Sequence, residues 1–159
     1  MQPNMIKHQM DRDECYSLLD RVNEGVLSTI GKDGYPYSIP VNFVRIGDCI
    51  YFHGRGVGEK CDNIQSCEKV CFTVFDSKGF MNTGPNGCNT TTLYESAVIR
   101  GCASIVNDKG SKTDILKALL DKMVPGRSKD GMKDSMIDAA AVFRIDIVSI
   151  TGKYRRAMQ

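Results

Sequence analysis

The sequence predicts a small antiparallel β-barrel with helices at its edges. Three observations lead there. At least six β-like runs are present, most of them joined by short turns that suit antiparallel neighbours. Helical spacing appears only in isolated segments, without the regular strand–helix alternation of a doubly wound parallel sheet. The final run, Ala141–Ile150, alternates cleanly, with Phe143, Ile145 and Ile147 on one face and Arg144, Asp146 and Val148 on the other.

Taken in order, residues 1–10 read as a loose N-terminal tail. Asp11 or Asp13 caps a first helix whose Cys15, Leu18, Leu19 and Val22 share an apolar face. Val26–Ile30 is a strand, and Gly31-Lys32-Asp33-Gly34 is a hairpin-type turn into Tyr35–Val44. That second strand holds Pro36 and Pro40, which cannot donate to a ladder, so it lies on an edge or is bulged near Pro40. Gly47-Asp48 turns into Cys49–His53, pairing Pro40–Val44 with Cys49–His53.

Gly54-Arg55-Gly56-Val57-Gly58 follows, and helical spacing resumes at Val57, Cys61 and Ile64. Lys69–Phe75 is a fourth strand, and Asp76–Asn89, rich in Gly, Asn and Ser, reads as a long loop. Thr90–Asn107 is the longest β-like segment, with Gly101 predicting a bend or bulge. Ser111-x-x-Asp114 resembles a capping box for a helix carrying Ile115, Leu116, Leu119, Leu120 and Met123, which Pro125-Gly126 stops. A short helix through Met136 and Ile137 precedes the last strand. No internal repeat and no second domain is visible, so residues 1–159 are read as one domain.

The totals narrow the function. A net charge of +2 is too small to draw nucleic acid or membrane by bulk attraction, so any anion affinity must be local. Arg100 and Arg144 do not form the basic and aromatic stripe of a nucleic-acid-binding barrel. No apolar run approaches the roughly 20 residues that span a bilayer, and Met1–Arg12 lacks the apolar centre of a signal peptide; the expectation is a cytoplasmic protein. The seven cysteines cannot all pair within one chain and include no C-x-x-C, which suits free thiols packed as small apolar residues. Only two histidines are available, and no metal site is expected.

Strand, glycine-rich turn and helix start together are the general arrangement for holding a phosphate, through unpaired N–H groups and the positive end of the helix dipole. Arg55 and Lys60 add charge there. Alone this signal leaves two readings, an anion site or a flexible surface turn, since it matches neither standard glycine-rich nucleotide motif.

The residues in sequence carry more. Asp33-Gly34-Tyr35-Pro36-Tyr37, Ile39-Pro40-Val41-Asn42-Phe43, Ile50-Tyr51-Phe52-His53-Gly54, Gly58-x-Lys60 and Val70-Cys71-Phe72 stand in order. Thr91-Thr92-x-Tyr94-x-Ser96-x-Val98-Ile99-x-Gly101 and Ile150-Thr151-Gly152-Lys153 follow. This succession resembles the pyridoxamine-5′-phosphate-oxidase-like flavin-binding split barrels, in particular the nitroimidazole-resistance (Nim-like) subgroup, over roughly residues 11–153. Ser66-Cys67-Glu68-Lys69 stands where many relatives carry Asn-Pro.

The resemblance implies a six-stranded split barrel and a homodimer with FMN or FAD at the interface. Pro40, Val41, Asn42 and Phe43 would lie along the isoalloxazine. His53, Gly54, Arg55 and Lys60 would surround the phosphate, and Thr91, Thr92, Ser96 and Val98 would complete the pocket, some from the partner chain. His53 is the candidate catalytic residue, close enough to touch substrate; the plainer alternative is a strand-end histidine satisfied by a backbone carbonyl.

With no Ser-His-Asp set, carboxylate pair or metal cluster in view, the flavin would carry the redox chemistry. Electrons would pass from NADH or NADPH to a small acceptor such as a nitro-aromatic. The competing reading is a non-catalytic flavin binder or store; a haem-holding barrel is disfavoured by His8 lying in the tail.

Overall fold

The structure, a computed structural model, describes residues 7–157. Seven strands form one antiparallel sheet: β1 (Gln9–Met10), β2 (Glu24–Ile30), β3 (Pro36–Ile46), β4 (Cys49–Gly54), β5 (Lys69–Asn82), β6 (Thr90–Val106) and β7 (Ala141–Arg155). The order β7-β4-β3-β2-β5-β6 returns to β7, so six strands close into a ring and β1 adds to the free side of β7. The predicted antiparallel barrel is therefore present. Among the described residues four α-helices decorate it: α1 (Arg12–Arg21), α2 (Glu59–Ser66), α3 (Lys109–Met123) and α4 (Asp134–Ala139). None is long and apolar enough to cross a membrane.

Alternation drives the closure. The inward residues of successive strands, Leu27, Phe43, Ile50, Phe52, Phe72, Val74, Ala97, Ile99, Phe143 and Ile145, are all buried and fill the ring. Phe43 meets Phe72 edge-on at 4.9 Å, while Phe52 and Phe143 stack at 4.8 Å with planes 7° apart. A second, smaller cluster lies outside the ring, where Ile115 and Leu119 of α3 cover Val142.

The bulge expected at Gly101 is found: the β6–β7 register shifts between Arg100 and Gly101. A Cβ there would stand 2.4 Å from the Asp146 carbonyl, so only glycine lets the two strands meet. All seven cysteines are free thiols.

Three expectations are corrected. The first half of the long loop Asp76–Asn89 is strand: β5 runs on to Asn82 and pairs with β6 as far as Asn82↔Thr90, with an irregularity between Ser77 and Phe80. Its polar composition hid a two-stranded ribbon, in which cross-strand partners replace a buried face. The tail is ordered at its end, because Met10 is buried and Tyr154 donates its N–H to the His8 carbonyl at 2.9 Å; residues 1–6 lie outside the described ones. Of the two readings of the proline strand, edge or bulge, the edge holds: Val26↔Pro40 is in register and the free edge accommodates both prolines. Finally, α3 is capped by Asp108, whose carboxylate accepts from the Ser111 N–H at 2.7 Å, one turn ahead of the expected Ser111 box.

Candidate functional site

The ring is split at one corner. β3 and β4 pair only over Phe43↔Phe52 to Ile46↔Cys49, although β3 continues N-terminally to Pro36. Continuing that register would put Gly54 opposite Val41, where the ladder has already stopped. Pro36–Asn42 therefore bonds to β2 on one side and presents an open backbone edge on the other. The chain leaves β4 at this point through exposed Arg55–Gly58 and enters α2. Gly58 caps α2 with φ at 104°, a conformation that favours glycine, and no side chain satisfies the first turn. A buried hydrogen bond, Asn63 Nδ2 to Thr29 Oγ1 at 3.1 Å, fixes α2 against β2.

Lys60, in the first turn of α2, folds back over the end of the ring. Its Nζ stands 4.6 Å from the centre of the Phe143 ring and 5.7 Å from that of Phe52. A Cβ on Gly54 would meet this ammonium at 2.5 Å, so the glycine makes room for it. No carboxylate pairs with Lys60 among the described residues. Burial lowers its pKa from the ordinary lysine value. A half-buried cation beside uncapped N–H groups and an open strand edge fits an anionic group of a ligand.

The expected residues fall into three places. Gly54, Arg55 and Lys60 gather at the corner, and Pro40, Val41 and Asn42 lie on the open edge beside it. Pro40 and Asn42 face outward, whereas Val41 packs toward the core. Phe43 is fully buried and its N–H goes to the Asn23 carbonyl at 3.2 Å, so neither its side chain nor its N–H is offered to a ligand.

His53 departs from the expected cluster. It leaves β4 on the outward side with Tyr51, opposite the inward Phe52 over which Lys60 sits. The imidazole opens onto an apolar cavity under α3 and α4. Desolvation there, and secondarily the Lys60 charge, lower its pKa, so it is neutral at pH 7.

Thr91 and Thr92 lie elsewhere again. They line a cleft of about 390 Å³ with His8, Tyr94, Lys153, Tyr154 and Arg155. β6 reaches the His53 end only at Val106, through Val106↔Val142 and Val142↔His53. From Thr92 that is roughly 45 Å of strand. Val98, in contrast, shares an outward row with Thr73, Val26 and Pro40 through consecutive strand pairings, and Ser96 lies one alternate position along, opposite Phe75.

The sequence reading missed the aromatic pad beneath Lys60. Its signal was available in the shared inward parity of Phe52 and Phe143, but their stacking needed the β4–β7 pairing Phe52↔Phe143.

A closed antiparallel ring opened at one corner, with Arg55, Lys60 and a glycine turn in the gap, defines a split-barrel protein. Its lineage is equally plain: residues 11–154 match the family described as pyridoxamine 5′-phosphate oxidase, and the chain belongs to that family. No curated protein matches it. Among solved structures it is similar to the flavocytochrome Anf3 from Azotobacter vinelandii, with 22% identity, TM-score 0.86, and coverage of 99% of this chain and 73% of that one. It is similar to a candidate 5-nitroimidazole antibiotic resistance protein from Bacteroides thetaiotaomicron (24%, 0.77, 91% and 85%). It also resembles an FAD- and haem-binding protein from Mycobacterium smegmatis (21%, 0.84, 94% and 74%). At these identities the likeness establishes the shared fold.

Proposed function

We propose that this chain is a flavin-dependent oxidoreductase, working as a homodimer, that passes electrons from NADH or NADPH to a small acceptor such as a nitroimidazole or another nitro-aromatic. The observation that carries the reading is Lys60, a half-buried ammonium without a carboxylate partner, set over Phe143 and Phe52 at the split corner. Family membership and the names of the flavin-binding neighbours support a flavin as the anionic ligand.

FMN or FAD, when bound, supplies the two-electron chemistry. The protein's residues bind and orient it. Lys60, Arg55 and the uncapped first turn of α2 hold phosphate, and Gly54 keeps the approach clear. The open backbone edge of Pro40, Val41 and Asn42 offers hydrogen bonds to a flat ring laid along it. Thr91, Thr92 and Lys153 line a cleft apart from the corner, and we take their contribution to come from a second copy. The outward apolar residues Val26, Phe75 and Val98, neighbouring across β2, β5 and β6, provide a surface for that contact.

An absorption spectrum with mass analysis of released cofactor tests the flavin. Colourless protein that fails to take up FMN or FAD refutes it. Steady-state NADH or NADPH oxidation in the presence of a nitroimidazole separates the enzyme from the alternative, a flavin-storing protein of the same fold.

A further inference from the structure

The cavity beneath α3 and α4 is separate from the split corner and is used by nothing described so far. It has a volume of about 500 Å³ and is walled by leucines and methionines, chiefly Leu116, Leu120, Met123 and Met136, with Leu119 at its base. Among the described residues, two lining side chains are polar, His53 and Lys133. That combination of size, apolar lining and a few convergent polar groups is typical of small-molecule sites. Unbranched methionines let such a wall adapt to an occupant.

The polar pair is unspent. No side-chain hydrogen bond engages the His53 imidazole among the described residues, and Lys133 has no ion pair there. Desolvation lowers the His53 pKa and so favours the neutral imidazole, which can donate one hydrogen bond and accept another. Among the described lining residues, Lys133 supplies the one full charge, and it is positive.

The roof of the cavity is a short element. α4 has six residues and is reached through Gly126 and Gly131, at φ 86° and 77°. Its tethers to α3 are the exposed pairs of Lys109 with Asp134 (3.3 Å) and Asp138 (3.1 Å). Exposed pairs of this kind contribute little to stability, and buried Ile137 is the apolar contact of α4.

We infer that this cavity is a second ligand site, taking an amphipathic organic acid. Its apolar body would lie between α3 and α4, a polar atom would meet His53, and its anionic group would pair with Lys133 at the rim. The inference does not rest on the flavin reading, because the Lys60 corner lies on the other side of β4.

Anilinonaphthalene sulfonate, an apolar body with one anionic group, is a suitable probe for the purified protein. The expected result is a fluorescence rise saturating at one probe per chain. Leu120→Trp, which fills the cavity, should weaken binding at least about tenfold. Lys133→Glu should weaken it about three- to fivefold. Lys60→Ala should leave probe affinity unchanged whatever it does to flavin uptake, and added FMN should not displace the probe. If the tryptophan variant melts early, Leu120→Phe makes a smaller intrusion of the same kind. Unaltered probe binding in both the cavity-filling and the Lys133 variants overturns the inference. So does stoichiometric displacement by FMN, which would make the cavity the flavin site itself.

Discussion

Lys60 and Phe143 are joined by a contact of 4.6 Å between the ammonium and the centre of the ring, although eighty-odd residues of chain separate them. The contact holds a charge at the mouth of an apolar ring with no carboxylate to balance it. Such a charge carries a desolvation cost that a bound anion would offset.

Removing that charge should therefore divide binding from stability. Lys60→Met is expected to lower flavin affinity by about ten- to a hundredfold, the range of a charge-assisted hydrogen bond of roughly 1.5–3 kcal/mol. The melting temperature of the ligand-free protein should hold or rise. Flavin fluorescence titration and a thermal melt of the same samples read the two quantities. Unchanged flavin affinity would remove Lys60 from the site.

The dimer has its own test. Val98→Asp places a charge in the outward apolar row with Val26 and Pro40. It should give a monomer by light scattering, and flavin should be lost with the partner's contribution. A monomeric variant that retains stoichiometric flavin would show that one chain suffices.

Lys122 gives the fold a pH signature away from either site. Its ammonium donates to the Leu19 carbonyl at 2.7 Å and lies 3.9 Å from the centre of the Phe43 ring, and burial brings its pKa down to about 8. In the unfolded chain the value is near the ordinary 10.5. Between these two values the unfolded state binds more protons, so the Lys122 contribution to stability rises with pH across that window and is flat below about 8. Urea denaturation of wild type and Lys122→Met from pH 7 to 10.5 should show the wild type gaining on the variant as pH increases. A constant difference would mean that Lys122 is not desolvated.

Thiol reactivity should follow burial. Cys88 is exposed and is expected to react first with a thiol reagent. Cys15 and Cys61 are buried, and burial pushes the Cys15 thiol up to about 11, so Cys15 should stay protected until the protein unfolds. Mass mapping of time-resolved alkylation gives the order; early labelling of Cys15 would contradict the packing of α1.

Gly101→Ala should be among the most damaging single changes. The added methyl would meet backbone, the Asp146 carbonyl oxygen at 2.4 Å, and backbone cannot swing aside as a side-chain tip can. A loss of about 2–3 kcal/mol is expected in a denaturant titration.

The barrel was readable from sequence because its cause is local. Period-two alternation in Phe143–Ile147, the proline-bearing strand and the glycine at 101 each announce a strand, an edge or a bulge through the backbone chemistry of a few adjacent residues. The glycine turn before Lys60 was readable for the same reason. By itself, then, the chain order determined an antiparallel barrel with an anion-prone corner. Only the tertiary structure decided which side of β4 carries His53's surroundings, that Thr91 and Thr92 stand at the far end of β6, and that Ser77–Asn82 is strand. Those facts depend on which strand pairs with which and where a helix comes to rest, and such long-range contacts leave no periodic mark on the residues that make them.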